Sequence, residues 1–455
     1  MKQKALQIYL TGVNRVLPDA LVRKNLQYNS DIFTNSEKIY VLAIGKAAFL
    51  MAKEAEKILN GRITEGLVVT KYEHGGKLRH LKVIEAGHPI QDENGVKAAR
   101  QVLKVAEKAK ENDIVLCLIS GGASALLADY PAESTLADLK EANEQLINSG
   151  ATISEINCVR KHLSAIKGGQ LTKLTFPAKT ISLLLSDVIG DRLDVIASGI
   201  TVPDKTTFSD ALDVIKKYNL TESFPPALIN HMNKGQSGLI PDTPKSNNPI
   251  FNRVENHIIG NNQIALKGAA EKATELGFYT KIITDSLEGD YRQVAEYILK
   301  SIDKETQAEN FNKQSYNYNK QENNSNDQET SGFQKNQSKL LCLLFGGEPT
   351  VKVTGTGKGG RNQHLALYLA NKINDRENIT ILCAGTDGTD GPTDSAGAVV
   401  DGFTLKHSFD NNINPEDYLS NFDSYNFFKQ LGDSVKTGNS GTNVMDMIVV
   451  LINQN

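Results

Sequence analysis

Four cysteines in 455 residues, with no Cys-x-x-Cys pair among them, leave no disulfide framework to read. Cys117, Cys342 and Cys383 sit inside apolar, strand-like runs, where a buried free thiol is the expected state. No run of about 18 apolar residues occurs anywhere, and the N-terminus lacks the apolar stretch of a signal peptide. The predicted location is therefore the cytoplasm. Basic excess is missing too. The net charge is -3 with 23% charged residues, which supplies no footprint for nucleic acid or a membrane surface. What remains is a soluble globular composition, long enough for two or three domains.

Along most of the chain, short apolar strands alternate with amphipathic helices, predicting an α/β fold with a parallel sheet covered on both faces. Residues 4 to 26 are predicted as two helices broken at Pro18. Strands are predicted over 38–44, 66–70, 81–85, 113–119 and 180–185, and one basic helix over 154–174. The Pro-rich stretch from Pro225 to Pro249 looks like a connection between domains. His257 to Ile283 reads as a further strand–helix–strand unit. In residues 304–338, 14 of 35 are Asn or Gln, too polar to offset ordering entropy, so a flexible surface insertion is expected.

Ligands in open α/β sheets collect at the carboxyl ends of strands. Gly45-Lys46 lies at one such end, where helix amides and a lysine favour an anion; a solvated lysine is the plain alternative. Ser120-Gly121-Gly122-Ala123-Ser124 lies at another. Consecutive glycines let amides line an anion nest, whereas a serine nucleophile lacks the Gly-x-Ser-x-Gly setting. Arg160, Ser164 and Lys167 fall at i, i+4 and i+7, one helical face that suits a carboxylate, a phosphate or simply solvent.

The densest signal runs from Phe345 to Asp401, where two glycine-rich loops carry charge. Gly355-x-Gly357-x-x-Gly360 matches the dinucleotide fingerprint, but the acid expected about 20 residues on is misplaced. Glycines this dense predict close approach to the backbone by something polar, a phosphate with its metal. Lys358 and Arg361 lie beside them, and Arg361 suits bidentate oxyanion contacts. Asp387, Asp390 and Asp394 have the spacing of hard oxygen ligands for magnesium beside phosphates, although Asp also serves turns. Glu348, Asp187 and Asp191 add further carboxylates near strand ends.

In order along the chain come Gly45-Lys46-Ala47-Ala48, Gly87-His88-Pro89, Ser120-Gly121-Gly122-Ala123-Ser124 and Asn157-Cys158-Val159-Arg160-Lys161-His162. Leu185-Ser186-Asp187-Val188-Ile189-Gly190-Asp191, Gly346-Gly347-Glu348-Pro349-Thr350 and Gly359-Gly360-Arg361-Asn362-Gln363 follow, then the Asp387 to Gly397 loop. With these the chain resembles the class II glycerate 2-kinases, some of which are labelled hydroxypyruvate reductases. The resemblance covers nearly the whole chain. It departs at residues 304–338 and at Thr437-Gly438-Asn439-Ser440-Gly441-Thr442-Asn443, where the family has Thr-Gly-Pro-Thr-Gly-Thr-Asn.

The resemblance implies a Rossmann-like three-layer N-terminal domain (1–245), a smaller MOFRL-type α/β domain (246–455) and an active cleft between them. It implies an ATP- and Mg²⁺-dependent kinase acting on the 2-hydroxyl of D-glycerate, with Lys46 and Arg361 catalytic. On that reading Asp187 is the base. Ser120, Gly121, Gly122, Arg160, Lys167, Gly359, Gly360 and Asn362 bind substrate or phosphate, and Glu348, Asp387 and Asp390 hold the metal. D-glycerate and ATP are the implied partners, with no nucleic acid or membrane, and a homo-oligomer is left open. An NAD(P)H-dependent hydroxypyruvate reductase is the rival, and a non-catalytic sugar-acid-binding regulator the third reading.

Overall fold

The computed structural model describes residues 1–322 and 340–454. Contacts divide the chain into two units. One comprises residues 16–261 with 441–444, the other residues 1–15, 262–440 and 445–455.

The first unit is built on a six-stranded parallel sheet in the order β3-β2-β1-β4-β5-β6. Its strands are β1 (Ile39–Ile44), β2 (Ile63–Lys71), β3 (Lys82–Ala86), β4 (Ile114–Ile119), β5 (Lys179–Leu185) and β6 (Val254–Gly260). Side chains alternate across a strand, so a strand apolar at every position must be covered on both faces. Tyr40, Leu42 and Ile44 of β1 join one core with Ala98, Ala99 and Val102 of the Glu93–Ala106 helix. Val41 and Ala43 join the opposite core with Met51, Ala52 and Ala55 of the Ala48–Leu59 helix. That is a three-layer αβα arrangement, as expected.

The second unit holds a mixed sheet in the order β11-β10-β9-β12-β8-β7. These strands are β7 (Tyr279–Asp290), β8 (Leu340–Thr350), β9 (Ile379–Gly385), β10 (Gly397–Asp401), β11 (Ser434–Val435) and β12 (Asp446–Asn453). Only β7 and β8 run parallel. One face carries the Arg361–Lys372 helix and the start of the Tyr291–Glu322 helix, through Leu365, Leu369, Val294 and Ile298. Against the sheet also lies the N-terminal helix Lys2–Arg15, packed on the Asn262–Glu275 helix.

Several expectations are corrected here. The helix break at Pro18 is present, with Pro18 opening the Pro18–Tyr28 helix, but the two helices belong to different units. Strand β6 pairs with β5 and so closes the first sheet, instead of starting a strand–helix–strand unit with β7. By its contacts the first unit runs on to Asn261 and takes in residues 441–444. The Pro-rich stretch contains the Pro226–Gln236 helix, whose Leu228 and Met232 are buried against Phe208 and Phe224. The helix after β7 continues into the Asn/Gln-rich segment as far as Glu322, and residues 323–338 of that segment lie outside the described residues.

Candidate active site

In the first unit, β1, β4 and β5 deliver Lys46, Ser120-Gly121-Gly122 and Asp187 to the carboxyl edge of the sheet. Gly45 has φ +131°, and its pro-side-chain position is filled by Ser120, so only glycine turns the chain there. The Lys46 N–H donates to the Gly121 carbonyl at 2.9 Å. The Ser120 hydroxyl accepts from the Ala47 N–H at 3.0 Å and is 1% exposed. It thus satisfies the N–H of Ala47, the residue before the Ala48–Leu59 helix. The half-buried Lys46 ammonium has no carboxylate partner among the described residues. A cation without a carboxylate partner at a strand end suits an anion.

Asp187 lies directly over Gly121, and a Cβ on that glycine would overlap its Oδ2. Asn443 donates from Nδ2 to the same oxygen at 3.2 Å. Gly122, at φ +84°, borders the His88 ring and the Lys46 side chain. Burial, then Lys46 and Lys71, push His88 down to about 4, so its imidazole is neutral near pH 7. Gly121→Ala must displace the Asp187 carboxylate. Its expected result is a kcat lower by about 100-fold with an unchanged melting temperature, since an ångström of misplacement costs that much. Steady-state rates beside thermal melts check this, and a fully active variant would remove Asp187 from the reaction.

Arg160 is half-buried, and its Nε donates to Asn143 Oδ1 at 2.6 Å. Burial lowers its pKa, and it has no ion-pair partner among the described residues. Ser164 and Lys167 do not share its helical face, because the helix stops at His162. Lys167 is corrected to a structural role. Its ammonium is 4% exposed and bound to Asp129 Oδ1 at 2.6 Å and the Leu127 carbonyl at 2.9 Å. The Ser164 hydroxyl donates to Asp129 as well.

In the second unit the centre is Arg361, first residue of its helix. Its Nε and Nη2 donate to Asp446 Oδ2 and Oδ1 at 2.6 and 3.0 Å, and Nη1 lies 2.9 Å from Glu348 Oε1. Burial alone lowers the guanidinium pKa, but Asp446 and then Glu348 outweigh it and leave it raised. Asp390, expected as a metal ligand, sits at the N-terminus of the same helix. Its carboxylate, 3% exposed, accepts the N–H groups of Asn362 and Gln363 at 3.0 and 2.8 Å, and both side-chain amides besides. Those N–H groups belong to the helix's first turn, where orphan donors and the dipole favour a carboxylate. Burial still pushes Asp390 up to about 6. Asn362 is 1% exposed, and its Nδ2 as well as its N–H points at Asp390.

The glycine loop has a different cause from the one its composition suggested. Gly355 and Gly357 pack onto Asn421 and Asp423, Gly359 onto Ser424, and Gly360 onto Asp390. The chain's own turn makes a close approach here, which itself requires glycine. Lys358 donates its N–H to Asp423. None of these glycines adopts a positive φ, and the helix starts only after Gly360, unlike a dinucleotide-binding turn.

Asp394 is tied to Lys436 and Tyr425. Among the described residues no three His, Cys, Asp or Glu side chains are grouped to hold a metal. Asp387 is half-buried, and among the described residues its carboxylate accepts only the Thr389 N–H, on Oδ1 at 3.1 Å. Magnesium needs no protein cage when phosphates supply most of its ligands. One open carboxylate fits that requirement.

Comparison with known proteins places the chain among relatives. A family described as "Domain of unknown function (DUF4147)" matches residues 4–233, and the MOFRL family matches residues 341–446. D-glycerate 2-kinase of Thermotoga maritima is 41% identical, with 99% of this chain and 98% of that protein aligned. The chain belongs to the glycerate kinase family. Glycerate 2-kinase of Pyrococcus horikoshii is 40% identical over 91% of this chain and 87% of its own. The crystal structure of the T. maritima glycerate kinase superposes with a TM-score of 0.84 at 40% identity, covering 99% of each chain. Within this family member, four residues beside the expected groups, two in each unit, were not singled out from the sequence. His88 and Asn443 lay inside quoted motifs. Asp446 had a signal, as the one charge opening an otherwise apolar strand. Tyr9, whose hydroxyl donates to the Gly385 carbonyl at 2.6 Å, had none.

Proposed function

We propose that this chain is an ATP-dependent glycerate 2-kinase that transfers the γ-phosphoryl group to the 2-hydroxyl of D-glycerate. The observation that carries the reading is the half-buried, unpaired Lys46 beside the Gly121-Gly122 amides, with Asp187 held over Gly121. Phosphoryl transfer asks a protein for positioning and charge neutralisation and little covalent work. Asp187 takes the proton of the 2-hydroxyl. The hydroxyl oxygen forms a bond to the γ-phosphorus as the bond to the bridging oxygen breaks, and ADP leaves. Lys46 supplies positive charge for the phosphoryl oxygens, Arg361 is the second catalytic cation, and the Gly121-Gly122 amides bind an anionic group. Arg160 suits the glycerate carboxylate, as a guanidinium still lacking an anion. Mg²⁺ bound to ATP would supply further charge neutralisation, and Asp387 would be its protein ligand. The proposed compartment is the cytoplasm, which suits four free thiols.

The test is an assay of the purified protein with D-glycerate, ATP and Mg²⁺, following ADP and resolving the phosphoglycerate isomers. ADP with the 2-phospho isomer is the expected result. The 3-phospho isomer would overturn the regiochemistry. NADH oxidation with hydroxypyruvate and no ADP would hand the activity to a reductase.

A further inference from the structure

We infer that Asp446 is a positioning residue for the phosphoryl transfer: with Glu348 it fixes the orientation of the Arg361 guanidinium. The inference rests on the kinase reading above. Asp446 is 1% exposed, and a carboxylate is buried at a cost of several kcal/mol unless it is paired. Its pairing is a side-on fork to Nε and Nη2, the geometry in which arginine is least free to rotate. Glu348 holds Nη1. One N–H on Nη1 and one on Nη2 are thereby left for a ligand.

Asp446 is itself held on all sides. It begins β12, paired with Gly347 of β8 and Gly385 of β9. Its carbonyl accepts from Asn262 Nδ2 at 2.9 Å. The preceding carbonyl, of Met445, accepts from the N–H and hydroxyl of Thr386 at 3.0 and 2.6 Å. Gly385 leaves the space that the Asp446 and Asp387 carboxylates occupy, each 3.3 Å from where its Cβ would stand. An aspartate serving only to neutralise a surface arginine would need none of this anchoring. A side chain that must aim a planar donor does.

Asp446→Asn keeps the shape but puts an amide N–H against a guanidinium N–H. The expected result is a kcat lower by about 100-fold with KM for ATP and D-glycerate within a few-fold, the size of losing one aligned donor. A second measurement separates aiming from folding. In Arg361→Ala, guanidinium ion at sub-denaturing concentration is expected to restore part of the turnover, because the Asp446–Glu348 cradle still orients it. In Arg361→Ala/Asp446→Asn and in Arg361→Ala/Glu348→Gln that rescue is expected to be lost; Glu348 is 45% exposed, so the latter change spares the fold. Equal rescue in single and double variants, or an Asp446→Asn enzyme with wild-type kcat, overturns the inference. A wild-type protein that forms no phosphoglycerate overturns the kinase reading instead.

Discussion

Lys46→Ala is expected to lower kcat by about 1,000-fold or more and to leave the melting temperature where it was. The first half follows from the chemistry, in which a cation aimed at the transferring phosphoryl group is worth roughly three to five orders of magnitude. The second follows from the structure: the ammonium makes no ion pair among the described residues, and truncation leaves no buried charge without a partner. Arg361→Ala is expected to lose as much activity but with some stability as well, because Asp446 stays behind in a buried setting. Arg361→Lys keeps the charge yet cannot fork both Asp446 oxygens, so its kcat is expected to stay low. Steady-state kinetics with thermal melts on the three proteins decide the matter. Near-normal turnover in Lys46→Ala or Arg361→Ala would end the assignment of the two cations.

The largest effect on stability is expected away from the chemistry, at Asp129. Its carboxylate accepts from the Lys167 ammonium, the Ser164 hydroxyl and the Ala165 N–H, at 2.6, 2.6 and 2.7 Å. Lys167 and Asp129 are 4% and 8% exposed. Asp129→Ala strands the ammonium with one carbonyl and is expected to cost about 3–5 kcal/mol. Asp129→Ala/Lys167→Met removes both charges and is expected to regain most of that loss, since the pair's net contribution is small against its desolvation. Denaturant titration of both variants is the check. A single variant as stable as wild type would mean that water reaches Lys167.

Much of the first unit was legible because its strands are apolar throughout, a pattern only a sheet covered on both faces satisfies. Boundaries were lost where a local rule met a tertiary partner. The helix from Ile153 ends at His162, before the glycines Gly168 and Gly169 at φ +61° and +79° that the apolar pattern ran across. Lys167 looked like a ligand because charge in a sequence carries no depth. Nothing in residues 2 to 15 indicated that they pack with residues 262 to 275, some 250 positions on.

From the sequence alone came the fold class and the ordered motifs of the family, because these depend on short-range spacing and residue chemistry. The proposal for Lys46 and Arg361 rests on the resemblance those motifs carry. The structure alone decided what each charge faces. It assigned Asp390 to a helix N-terminus, Lys167 to Asp129, the Gly355–Gly360 loop to the chain's own turn at Asn421–Ser424, and Asp446 to Arg361. A carboxylate's role follows from which donors lie within hydrogen-bond reach. That distance is fixed by packing between residues as far apart as Arg361 and Asp446.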